Sequence, residues 1–191
     1  MNLLKGLIKW AIERSVEPGE IYEVLLQGYL FLGYPVAIES FFVFDEVTGP
    51  RQAAGDNFFE EVPVWDYNLL KTQGKRTAQK VYAENFKPVF NNIWRLSPDL
   101  ASGMVLEGYG RIISRPGLNL IEREFAVISA LIVTDMPRQL YSHLRGSLNA
   151  GAHPTQIRAV IQQCRYFAKP TLVEKALSIF EKILGKFPHP K

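Results

Sequence analysis

RPGLNLIEREFAVISALIVTDMPRQLYSHLRGSLNAGAHPTQIRAVIQQCRYFAKP, residues 115–170, is the stretch whose reading decides the fold. No part of it reads as a strand. Its apolar residues recur at helical spacing and are punctuated by helix-start signals. Arg115-Pro116-Gly117 is a turn. Asn119 then caps a helix expected over residues 120–133, with Glu122 three residues on in capping-box position. Asp135-Met136-Pro137 starts a second helix, running to about residue 150. His153-Pro154 starts a third and Pro170 a fourth. Proline suits the first helical position because the N–H it lacks would have no intrahelical partner there. The expectation is an all-α helical bundle.

Working outward, an earlier stretch repeats the last two of these helices. Residues 18–44 align with residues 154–179: Pro18 with Pro154, Ile21 with Ile157, Val24 with Val160, Gln27 with Gln163 and Phe31 with Phe167. After a one-residue gap, Pro35 meets Pro170 and Glu39 meets Glu174. Self-similarity of this kind reports a reused structural unit. It predicts an N-terminal helical half repeat over residues 1–48, a linker or arm over 49–70 and the main helical domain over 71–191. The inward face of the first repeat helix reads as Ile21, Val24, Leu25, Gly28 and Phe31, with Gly33-Tyr34-Pro35 breaking it and a second helix running to about Phe44. Residues 45–67 contain Gly49-Pro50, Gly55, Asp56-Asn57 and Pro63 and read as a long loop. A basic segment, KTQGKRTAQK over residues 71–80, enters the next helix. Residues 85–94 read as helical, and Ser97-Pro98-Asp99 starts a helix to about Ile113.

The bulk numbers narrow the function classes. The chain has 191 residues, 47% of them hydrophobic, enough for a packed core. A net charge of +3 does not call for nucleic acid, and we expect none as a partner. One cysteine rules out an intrachain disulfide framework and points to a reducing, cytoplasmic setting. The opening MNLLKGLIKWAIERS does not read as a signal peptide, because Lys9 and Glu13 interrupt its apolar run, and no run is long enough to expect membrane insertion.

Two polar residues fall inside apolar stripes. On the helix over 120–133, Ile121, Phe125, Ile128 and Ile132 form one face, and Glu124 lies within it. An ionised carboxylate there must find a cation or donor, or stay protonated with a raised pKa. On the next helix, Leu140, Leu144 and Leu148 make the stripe and His143 flanks it. Helices joined by short connections are neighbours, so Glu124 and His143 are the candidate acid–base pair. Arg123 and Arg145 are candidate anion anchors, beside the plainer reading of exposed structural arginines. Cys164 lies on the face set by Ile157, Val160, Ile161 and Phe167, opposite Gly28 in the repeat, and reads as a small core residue. His153 reads as a helix-start residue and His189 as part of a tail. Three scattered histidines give no metal-ligand spacing, so neither metal nor cofactor is expected.

Residues 115–170 resemble the carboxymuconolactone decarboxylase family, of the alkylhydroperoxidase D-like superfamily. The resemblance rests on Arg115-Pro116-Gly117-Leu118, Glu122-Arg123-Glu124, His143, Gly151, Pro154-Thr155-Gln156-Ile157 and Tyr166 to Pro170. Upstream, Gly74-Lys75-Arg76 and Tyr109-Gly110-Arg111 fit the same pattern, so it covers residues 71–184. It implies an all-α fold and homo-oligomers packed through their helices. Alkylhydroperoxidase D-type members use a CxxC dithiol with a Glu and a His, and Glu124 and His143 match the latter two. The dithiol positions are held by Met136 and Gln139, which excludes thiol–disulfide exchange by that route. The lactone-decarboxylase branch needs no dithiol, and the resemblance implies a small carboxylate or lactone substrate. In the N-terminal copy, Leu7 and Lys9 stand where His143 and Arg145 would be, so that copy is expected to pack and not to catalyse. Three readings follow: a thiol-independent proton-transfer enzyme, a non-catalytic oligomeric scaffold or small-ligand binder, and a redox protein using Cys164 alone.

Overall fold

The structure is a computed structural model and describes residues 2–50 and 63–186. The described residues are helical with no strand. Helix α1 is Asn2–Ile12, α2 Pro18–Leu32 and α3 Tyr34–Thr48. Helices α4 (Tyr67–Tyr82) and α5 (Phe86–Leu96) follow. Helix α6 (Pro98–Gly103) widens without a break into a π-helix, Met104–Ile113. The last four are α7 (Leu120–Val133), α8 (Pro137–Asn149), α9 (Pro154–Gln163) and α10 (Pro170–Leu184).

The helix starts are chemically specified. Asn119 accepts from the Glu122 N–H, and the Glu122 carboxylate accepts from the Asn119 N–H. His153 forms the same kind of box with Gln156, so its role at the helix start is met by hydrogen bonds. Asp66 accepts from the N–H groups of Asn68 and Leu69, which starts α4 at Tyr67, inside the stretch read as arm. Helix α3 also runs four residues past Phe44, to Thr48. Of the expected loop, residues 51–62 lie outside the described residues, as does His189.

The main core joins α7 to α10. Val127, Ile128, Leu131, Leu144, Ile157, Ile161 and Phe180 are its buried centre, and Cys164 belongs to it. A second cluster, Ala78, Val81, Tyr82, Tyr109 and Ile113, joins α4 to the π-helix. Ile8, Val43 and Phe44 close a third between α1 and α3. Of the two Pro-led helix pairs that align in sequence, α2 of the first and both α9 and α10 of the second pack against α7. The expected inward face of α2 holds in part: Ile21 and Leu25 pack on the third cluster and Phe31 on the main core, but Val24 is 40% exposed on an open groove, and the buried residues of the helix are Glu23 and Gln27. Polar residues face inward there because α7 presents a buried arginine to them.

Candidate functional site

Glu124 and His143 meet. Adjacent helices α7 and α8 carry them, fully buried and 7% exposed respectively. Glu124 Oε2 lies 2.9 Å from His143 Nδ1. The carboxylate that could not stand alone in an apolar stripe therefore has its partner on the next helix. Gly146, one turn beyond His143, makes the room. A Cβ built there would lie 2.8 Å from Glu124 Oε2 and 2.6 Å from Val81 Cγ1. The other oxygen, Glu124 Oε1, is buried with no hydrogen-bond partner. An unmatched carboxylate oxygen in a dry interior is costly, so it marks a place where a donor is wanted. With Nδ1 taken by Glu124, Nε2 of His143 is left without a hydrogen-bond partner among the described residues.

Aromatic rings close the pair in. Phe31 of α2 meets the imidazole edge-on, with centroids 5.9 Å apart. Tyr82 of α4 lies 6.4 Å from it and packs edge-on against Tyr109 at 5.7 Å. Burial pushes the Tyr82 phenol up to about 12 and the Tyr109 phenol well above its usual range. Both phenols are thus neutral at physiological pH. Tyr82 is also part of the wall of a small cleft of about 100 Å³ that includes Ser142 and Arg145. Neither Glu124 nor His143 lines that cleft or any other described here.

The two arginines diverge. Arg145 sits at the cleft and pairs with the exposed Glu84 at 2.8 Å. Arg123, expected as an anion anchor or an exposed structural residue, is fully buried and turned towards α2. It donates to Glu23 at 3.0 Å, to the Gln27 side chain at 3.2 Å and to the carbonyls of Arg115 and Pro116. Gln27 in turn donates to the Arg123 carbonyl. The anion that Arg123 holds is therefore one of the chain's own. Arg115 grips Glu23 from the other side through Nε and Nη2. Burial raises the Glu23 pKa, but the hydrogen bonds from Arg115 and Arg123 outweigh it and hold the carboxyl below its ordinary value.

Cys164 is buried, its thiol pushed up by burial and donating to the Val160 carbonyl. A thiol in that setting is a poor nucleophile. Among the described residues, no three His, Cys, Asp or Glu side chains come close enough to hold a metal ion. Sequence reasoning missed Phe31 and Tyr82 around the imidazole, and Glu23, Gln27 and Arg115 around Arg123. Phe31 and Gln27 left a trace as matches to Phe167 and Gln163, and Arg115 as part of the turn, but nothing in the sequence tied them to these partners.

The segment carrying this geometry has relatives. A model of the carboxymuconolactone decarboxylase family matches residues 98–182. The matched segment is similar to that family over somewhat less than half of the chain. It runs from α6 into α10 and contains Glu124 and His143. A longer likeness extends beyond the matched segment. Over 158 residues the chain is 28% identical to Peroxisomal protein 2 of Schizosaccharomyces pombe, covering 81% of this chain and 72% of that protein. Among the described residues, no helix is long and apolar enough to cross a membrane.

Proposed function

We propose that this carboxymuconolactone decarboxylase-like protein uses Glu124 and His143 as a thiol-independent acid–base pair on a small carboxylate or lactone. The observation that carries the reading is the unpartnered, buried Oε1 of Glu124 beside a hydrogen-bonded Oε2. A pair serving packing alone would be expected to satisfy both oxygens. In the proposed reaction the substrate's C–C bond to its carboxylate breaks, CO₂ leaves, and the electron pair stays as an enolate. His143 gives its Nε2 proton to the enolate carbon, and Glu124 steadies the imidazole through Nδ1. Arg145 holds the substrate carboxylate at the Tyr82–Ser142 cleft. Its present partner is an exposed Glu84, and such a surface pair contributes only about 0–1 kcal/mol, so a substrate can displace it. Arg123 is left out of this set because its guanidinium is already committed to Glu23.

A second reading is a non-catalytic oligomeric scaffold or small-ligand binder. It is favoured by the absence of Glu124 and His143 from the walls of the described clefts. A panel of lactones and β-keto acids, turned over by wild type, His143→Ala and Glu124→Gln, separates the two. The first reading expects both variants to lose about 10²–10⁴-fold in turnover, the usual contribution of general acid–base catalysis. No turnover by wild type, or equal rates in all three proteins, supports the scaffold. Either reading fits a homo-oligomer, which is supported by the exposed apolar side chains Leu3 and Trp10 of α1 and Val36, Ile38 and Phe42 of α3. Light scattering tests it. We place the protein in the cytoplasm. The name of the yeast relative makes the peroxisome the competing site, and imaging of the tagged chain decides between them.

A further inference from the structure

The basic stretch over residues 71–80 takes no part in the Glu124–His143 site. On α4, Gln73, Arg76, Thr77 and Lys80 fall at the i, i+3, i+4 and i+7 spacing of a single helix face. That face forms one wall of a cleft of about 380 Å³. Ser114 and Arg115, in the turn after the π-helix, form the other. No carboxylate lines it. Arg76 and Lys80 make no ion pair or hydrogen bond with any described residue, and the side chains of Gln73 and Thr77 are equally uncommitted. Arg115 spends Nε and Nη2 on Glu23, which leaves its Nη1 over. The Ser114 hydroxyl is committed as a donor to the Gly110 carbonyl, so the free donors belong to α4 and Arg115.

We propose that this cleft binds the phosphate group of a small phosphate monoester. One planar carboxylate is satisfied by one guanidinium fork, as Glu23 is by Arg115. Two uncommitted cations, the spare Nη1 and two neutral donors exceed what a carboxylate can use, and suit a dianion with three terminal oxygens. Ile113, Leu118 and Leu120 give the cleft an apolar flank on which the ester's organic part rests. The site is separate from the acid–base pair and does not depend on the reading given to it.

Calorimetric titration of the full chain at constant ionic strength tests the proposal with inorganic phosphate, phenyl phosphate and benzoate. Saturable one-to-one binding is expected, tightest for phenyl phosphate and weakest for benzoate. In Arg76→Gln/Lys80→Gln, affinity falls by about tenfold or more, since both uncommitted cations that would bond the phosphate are removed. A Lys9→Gln/Lys186→Gln control, which removes the same charge elsewhere, keeps wild-type affinity. Both cleft cations are exposed, so the double variant is expected to melt like wild type. Should it melt early, Lys80→Gln alone carries the comparison. The proposal is overturned by non-saturable binding, by benzoate matching phenyl phosphate, by equal affinity in the cleft and control variants, or by binding confined to anionic lipid vesicles.

Discussion

Glu124 is accommodated where it sits by His143 and Gly146 together. His143 supplies the hydrogen bond, and Gly146 supplies the space, since any side chain at 146 would press on both Glu124 Oε2 and Val81. Gly146→Ala is therefore expected to destabilise the protein by about 1–3 kcal/mol, the range for overpacking a filled interior. For a chain of this size that lowers the melting temperature by about 2–4 °C per kcal/mol, read by calorimetry. An unchanged melting temperature would remove Gly146 from the account of the pair. At this scale the sequence was partly legible. Glu124 and His143 could be picked out because three- and four-residue spacings put each inside an apolar stripe. Arg123 could not be understood without Glu23, which lies 100 residues away, and no local pattern announces such a partner.

Among the elements, the closest approach is between α4 and the π-helix, and two glycines permit it. A Cβ on Gly74 would sit 1.9 Å from the Val105 carbonyl oxygen and 3.0 Å from the Gly110 N. Both obstacles are backbone, so neither can swing aside and the two helices would have to separate. Gly74→Ala is expected to cost at least the upper part of the range of about 1–3 kcal/mol for overpacking. Gly28→Ala, with nothing within 4 Å of its new Cβ, is expected to be neutral or to gain up to about 1 kcal/mol from helix propensity. Urea melts of the two variants check the contrast, and equal losses would contradict it. Helix starts were readable because Pro18, Pro98, Pro137, Pro154 and Pro170 stand where a missing N–H costs nothing. The π-helix was not, because Met104–Ile113 carries the same apolar spacing as an ordinary helix and nothing in it marks the wider turn. Helix α2 was read only in part, for a related reason. Its apolar stripe exists, but α7 opposes it with a buried guanidinium, which selects Glu23 and Gln27 as the inward residues.

Across the whole molecule, Glu23 fastens the N-terminal helices to the segment matched by the family, beside a second bond in which Tyr29 of α2 donates to Glu107 and accepts from Arg111 of the π-helix. Glu23 lies on α2 and is clasped by Arg115 and Arg123, which flank the turn into α7. Phe31, one helix turn past Gln27, lies against His143, so α2 also walls the candidate site. The N-terminal helices, which carry no catalytic candidates of their own, thus still bear on the pair. The fastening makes a pH prediction whose sign follows from the depressed Glu23 pKa. The unfolded chain binds a proton at the ordinary carboxyl value of 4.5, before the folded chain does. Stability from Glu23 is therefore complete above that value and is lost as the pH falls through it towards the folded-state pKa. Glu23→Gln cannot titrate there. It should be less stable than wild type at neutral pH by about 3–5 kcal/mol, the cost of leaving buried charge uncompensated. It should also lose less stability than wild type on acidification. Urea melts from about pH 7 to about pH 3 read both quantities, the window in which carboxylate linkage acts. Parallel curves for the two proteins would mean that acid loosens the fold elsewhere. Converging curves would locate the acid-sensitive bond at the junction of α2 with α7.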